Sequence, residues 1–125
     1  MALWLFKEEP THYNYADLER DRQTVWDGVE NALALIHLRK VQPGDRVLYY
    51  HTGKEKAIVG EMRVVKAKDG EVTVAPVRRL PKPVPLAEIK KITALKDWDL
   101  VRNSRLSVMP VTAEQWRMVE EMAGE

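Results

Sequence analysis

Three short segments of this chain hold side chains of the kind that recognise a planar ligand. Trp26-Asp27-Gly28-Val29-Glu30-Asn31 places a large aromatic, a carboxylate, a flexible backbone position and an amide at the mouth of an apolar stretch. Tyr49-Tyr50-His51-Thr52 adds two aromatics, an imidazole and a hydroxyl. Arg102-Asn103-Ser104-Arg105-Leu106-Ser107 supplies two guanidinium groups and three small polar side chains. Holding one nucleobase outside a duplex calls for such parts: apolar faces for the ring, donors and acceptors for its polar edge, and cations for flanking phosphates. Base–aromatic stacking is worth roughly 1–3 kcal/mol per base, which offsets part of a flip costing a few kcal/mol. The competing reading makes Trp26 and Tyr49 ordinary core aromatics.

Other chemistries lack their signatures. Ser104 and Ser107 sit in Asn-Ser-Arg and Leu-Ser-Val contexts, without the glycines of a nucleophile elbow. His12, His37 and His51 show no metal-ligand spacing, and there is no cysteine for a thiolate, a disulfide or a zinc site. Glu8-Glu9, and Asp97 with Asp99, read as solvated or capping carboxylates rather than an acid/base pair. The six glycines are scattered singly, so no phosphate-cradling loop forms. No catalytic residue, cofactor or metal is expected.

The elements that must position these segments can be read from periodicity and punctuation. Ala2 to Phe6 is a short apolar run that reads as a buried strand, closed at Pro10. Asn14 followed by Asp17 is a capping-box pattern that opens a helix over 15–20. Apolar residues from Val29 to Leu38 predict a buried helix, ended by Pro43-Gly44. Arg46 to Tyr50 is the next strand. Ala57–Lys66 and Glu71–Arg79 flank Asp69-Gly70, a strong hairpin signal. Pro81, Pro83 and Pro85 should then forbid regular pairing. Leu86, Ile89 and Ile92 predict one short helix, and Leu95 to Leu100 another. Leu106 to Val111 reads as the last strand, and Thr112 with Gln115 caps a C-terminal helix ending near Met122. Without regular strand–helix alternation, this pattern predicts an α+β domain around a small closed sheet.

With 125 residues, 45% of them hydrophobic, the chain fits one domain with a real core. No basic-then-apolar leader opens it and no apolar run approaches a membrane span, so a cytoplasmic monomer away from membranes is expected. Few Asn and Gln among many Lys, Arg and Glu give it a thermophile-like composition. The net charge of +1 hides an uneven distribution. Residues 1–38 hold three bases and seven acids, 39–105 sixteen and eight, and 106–125 one and four. A basic middle points to a polyanion partner only if the fold gathers it on one surface.

In order, Trp4-Leu5-Phe6-Lys7-Glu8-Glu9-Pro10, Trp26-Asp27-Gly28-Val29-Glu30-Asn31, Gly44-Asp45, Tyr49-Tyr50-His51-Thr52 and Arg102 to Val111 resemble the EVE domain, of the PUA-like superfamily. The resemblance runs over nearly the whole chain and implies a single domain over 1–125. It implies a PUA-like compact β-barrel of about five or six strands decorated by short helices. It also implies a non-enzymatic module whose pocket accepts a modified, cytosine-derived base in DNA. The alternatives are an RNA-binding PUA-like module and a small-molecule or nucleotide sensor. By the same resemblance, Phe6 and Lys7 lie on the pocket rim, Trp26 forms a wall, and Asp27 and Asn31 fix polar edges or the loop. Tyr50, His51 and Thr52 contribute from the adjacent strand end, Asn103 and Ser104 meet the base edge or backbone, and Leu106 and Ser107 line the floor. Lys7, Arg102 and Arg105 are the expected contacts to the nucleic-acid backbone. The chain departs from the pattern at Glu30, where the family often carries Arg.

Overall fold

A computed structural model describes all 125 residues. Six strands form one sheet: β1 (Leu3–Glu8), β2 (Thr24–Trp26), β3 (Arg46–His51), β4 (Ala57–Lys68), β5 (Glu71–Pro85) and β6 (Val108–Pro110). Their order is β2-β5-β4-β3-β1-β6, with β1 parallel to β3 and every other pair antiparallel. Five helices decorate it: α1 (Tyr15–Asp21), α2 (Ala32–Lys40), α3 (Leu86–Ile89), α4 (Asp99–Arg102) and α5 (Ala113–Met122). A 3₁₀ turn covers Thr93–Leu95. No helix is long and apolar enough to cross a membrane.

The sheet is curled into a half-barrel. Strands lie about 4.8 Å apart, so β2 and β1, four places apart, would stand roughly 19 Å from each other in a flat sheet. Instead the rings of Trp26 and Phe6 meet with centroids 5.3 Å apart, and Trp26 meets Tyr49 of β3 at 5.2 Å. Tyr15 of α1 packs edge-on against Tyr49 at 5.6 Å, completing an aromatic core. Tyr15 fits there because residue 60 of β4 is glycine; a side chain at that position would overlap the tyrosine ring. The Tyr15 hydroxyl donates to the Glu61 carbonyl at 2.6 Å and lies 2.9 Å from the Arg78 carbonyl, tying α1 to β4 and β5.

Both capping boxes form as their residues predict, at Asn14 with Asp17 and at Thr112 with Gln115. Gly44-Asp45 is structural. Gly44 takes φ +89°, and buried Asp45 accepts from the Ala2 N–H, the Trp4 indole and the Gln42 N–H, locking the starts of β1 and β3 together.

Three expectations need correcting. First, β5 runs through Pro81, Pro83 and Pro85 rather than stopping at Arg79, with Val84 opposite Ile58 and Pro85 opposite Ala57. Prolines at every second position all lose their N–H on the same side. Here that is the open side of β5, because β2 covers only Val72–Val74. The β4 register shifts between Ile58 and Gly60 to absorb the change. Second, α2 begins at Ala32 with Asn31 as its cap, and it is not a buried helix: Ala34 and Leu38 are covered while Leu33 and Ile36 are exposed. Third, Leu95–Leu100 is not one helix but the 3₁₀ turn and the start of α4.

Burial pushes the Tyr15 and Tyr50 hydroxyls up to about 12 and raises Tyr49 as well. The folded chain therefore keeps protons that the unfolded chain releases above pH 10, the ordinary tyrosine value. Stability should be intact below pH 10 and fall between pH 10 and about 12, by roughly 4 kcal/mol per pH unit if all three groups act. Urea denaturation across that range should show it, and Tyr50→Phe should remove about a third of the slope. An unchanged midpoint through pH 11 would contradict the assignment. Gly60→Ala should cost about 1–3 kcal/mol by overpacking the Tyr15 ring, read from the same denaturation at pH 7.

Candidate functional site

β1 carries the site because of what flanks its end. On one side Thr52 donates its N–H to the Glu8 carbonyl at 3.0 Å, extending the parallel β1–β3 ladder. On the other, Lys7 donates its N–H to the Ser107 carbonyl at 2.9 Å, bringing the loop before β6 alongside. The loop from β2 to α2 closes the third side. The result is a cleft of about 300 Å³. Lys7 and Glu8 line it from β1 and Glu9 from just beyond, Trp26 from the end of β2, Asp27 to Val29 from the β2–α2 loop, Thr52 from just after β3, and Ser104 to Ser107 from the last loop. Trp26 and Asp27 also border two neighbouring hollows of about 200 and 360 Å³.

Backbone groups add to the charged and hydroxyl side chains of the cleft. Gly28 adopts φ +76°, which turns the chain between β2 and the Asn31 cap. The backbone N–H and C=O groups of Asp27, Gly28, Val29 and Glu30 make no hydrogen bond within the chain. The N–H groups of Ser104, Arg105 and Ser107 are likewise free. Two facing loops thus present unpaired donors and acceptors above a buried indole, the chemistry that a flat heterocycle with a polar edge satisfies.

Charge in the cleft is mixed. Lys7 reaches the Ser104 carbonyl at 3.3 Å and lies 5.6 Å above the Tyr50 ring; burial lowers its pKa from the ordinary lysine value. Glu8 accepts from the Glu9 N–H and faces His12, while Glu9 accepts from the Thr52 hydroxyl. Arg105 is exposed and forms no ion pair. No three His, Asp or Glu side chains gather as metal ligands.

Of the residues singled out from sequence, Lys7, Trp26, Asp27, Thr52, Ser104, Arg105, Leu106 and Ser107 come together in this cleft. The others lie elsewhere. Phe6 is fully buried and supports Trp26 from below. Asn31 accepts the Ala34 N–H and caps α2. Tyr50 is buried under Lys7. Asn103 is half-buried and its carbonyl receives the Leu106 N–H, while Arg102 faces Asp97 at 3.8 Å. His51 borders a hollow of about 330 Å³ with Asn14, Glu55 and Arg79. Glu8, Glu9, Gly28 and Val29 line the cleft without having been singled out as pocket residues, although all four fall inside the motifs quoted above.

The EVE domain model matches residues 2–122. This chain belongs to the EVE domain family. Thymocyte nuclear protein 1 of Danio rerio is 30% identical over 166 aligned positions, covering 98% of this chain and 72% of the relative. That alignment is longer than the 125-residue chain, so the relative carries inserted segments that this EVE domain lacks. A solved structure from Rhodopseudomonas palustris is 34% identical with a TM-score of 0.91, covering 99% of this chain and 94% of that one. Human thymocyte nuclear protein 1, solved in complex with DNA containing 5-methylcytosine, superposes with a TM-score of 0.90 at 28% identity, over 100% of this chain and 99% of that one. The PUA-like fold expected from the resemblance is the one observed.

In this EVE domain His51 is a structural residue. Its Nε2 accepts the Tyr15 N–H at 3.1 Å, a donor at the first turn of α1 that has no partner in the helix, and Nδ1 meets Glu55 at 2.8 Å. His51→Ala should therefore lower stability by about 1–3 kcal/mol, as expected for a buried N–H left unsatisfied, in a urea titration at pH 7. A loss below about 0.5 kcal/mol would show that water replaces the imidazole.

Proposed function

We propose that this EVE domain is a non-enzymatic DNA-binding module that accepts a modified cytosine, turned out of the duplex, in the cleft between Trp26 and Ser107. One observation carries the reading: the strand ends bring the polar loops of three separate motifs around a single indole, with backbone groups left free to meet a base edge. The human relative's complex with 5-methylcytosine DNA supports the ligand class. Trp26 is buried, so it gives the base no open platform for stacking over its whole ring. Lys7 and Arg105 stand at the rim, where the phosphates of a flipped nucleotide would pass. This reading asks for no bond to be broken.

Fluorescence anisotropy with oligonucleotides carrying cytosine or 5-methylcytosine, as single and double strands of DNA and RNA, tests this at two salt concentrations. The methylated DNA should bind tightest, and its preference should survive the higher salt even as all affinities fall. Equal binding to every oligonucleotide, erased by salt, would leave only backbone attraction. A preference that follows the 2′-hydroxyl would make RNA the partner. Lys7→Met should weaken all oligonucleotides alike and reduce the salt slope by about one charge, while Arg79→Ala, whose guanidinium is engaged with Glu19, should change neither.

A further inference from the structure

Asp27 differs from the other carboxylates of the cleft, Glu8 and Glu9, in having nothing to bind. Glu8, Glu9 and Lys7 each have a partner in the chain, whereas the Asp27 carboxylate has neither an ion pair nor a hydrogen bond. It lines the cleft beside the Trp26 indole, with the hydroxyls of Ser104 and Ser107 among the other lining groups. An unpaired carboxylate facing a polyanion works against binding through like-charge repulsion. Only a strong donor on the ligand, meeting that carboxylate directly, reverses the balance.

We infer that Asp27 reads the exocyclic amine of the bound base, and so separates 5-methylcytosine from thymine. The inference rests on the reading that the cleft takes a flipped base. The two pyrimidines carry the same methyl group at C5 and differ at position 4, where cytosine presents an N4 amine and thymine an O4 carbonyl. An ionised carboxylate has acceptors only. Against N4 it makes a charge-assisted hydrogen bond; against O4 it sets two acceptors face to face. The methyl group is left to the apolar side of the cleft, so methyl recognition and amine recognition fall to different residues. The same logic separates Asp27 from Lys7 and Arg105: those residues favour any nucleic acid, whereas Asp27 favours only a base with an amine.

The test compares the full chain and Asp27→Asn on DNA duplexes identical except for one nucleotide, 5-methylcytosine or thymine, each placed opposite an abasic site so that base-pair strength does not enter. The readout is the ratio of the two dissociation constants, because removing a negative charge raises affinity for both duplexes together. The unaltered chain should favour 5-methylcytosine by about tenfold or more, in line with direct base readout. Asp27→Asn, whose amide donates to O4, should bring the ratio near one. Asp27→Ala should also lose the preference, with no gain specific to thymine. Both variants should melt where the parent does, since residue 27 is exposed. An equal ratio in the unaltered chain, or a preference that persists in Asp27→Asn, would overturn the role of Asp27 while leaving the cleft as a base site. Failure of the unaltered chain to favour either methylated duplex over one lacking the probed base would overturn the cleft reading itself.

Discussion

Trp26 ends a strand of three residues, yet its ring lies against side chains of β1 and β3 from the other half of the sheet. That contact exists only because the sheet is rolled, and rolling brings the end of β2 over the end of β1. The β2–α2 loop is then held at one edge of the cleft by the residue that precedes it. Truncating a buried Trp removes roughly 3–5 kcal/mol, so the loop's position is enforced by core packing. Of the two readings of Trp26 that its sequence leaves open, the packing shows the core aromatic, and the same residue also lines the cleft.

What lies above that indole is under no comparable pressure to be satisfied internally. Most buried backbone polar groups in a folded chain are paired, and loops that leave theirs free do so where water or a ligand reaches them. Here the free groups come from two loops on opposite sides of the β1 end. Each loop has its own anchor. Asn31 caps α2 after the first, and the Lys7–Ser107 hydrogen bond holds the second. The free groups are therefore displayed from fixed supports, which limits the ordering entropy that binding must overcome.

How much of this was legible in the chain depends on whether a feature is local. Both capping boxes and the Asp69-Gly70 hairpin are set by residues within three or four positions of one another, and they form as read. Thr24-Val25-Trp26 gave no strand signal, since three residues show no period and what makes them a strand is pairing with Val72–Val74 far along the chain. The proline run misled for a related reason. Its effect depends on which side of β5 has a neighbour, and that is a property of strand order. In the site, alternation along β3 separates residues that are adjacent in sequence. Tyr49 and His51 turn inward to the aromatic core and α1, Tyr50 lies under Lys7, and Thr52 reaches the cleft. The motif was read as a unit, but pleating distributes it over two faces.

The charge distribution follows the same division. Several of the bases that make the middle of the chain positive are engaged away from the cleft. Arg46 and Arg78 flank buried Glu61, Arg46 stacks 4.5 Å from Trp116, and Arg78 also joins Glu120 and Glu125 of the C-terminal helix region. Arg79 forks onto Glu19 of α1. These pairs fasten α1 and α5 to the sheet, and the acidic ends of the chain supply their partners. Part of the positive charge in the middle of the chain is thus used for assembly. The cations at the cleft are few, Lys7 and Arg105, and they share it with Asp27 and with exposed Glu30 close by on the same loop. A surface so balanced cannot hold a polyanion by counterion release alone. Whatever selectivity the cleft has must arise at short range, from the groups that line it.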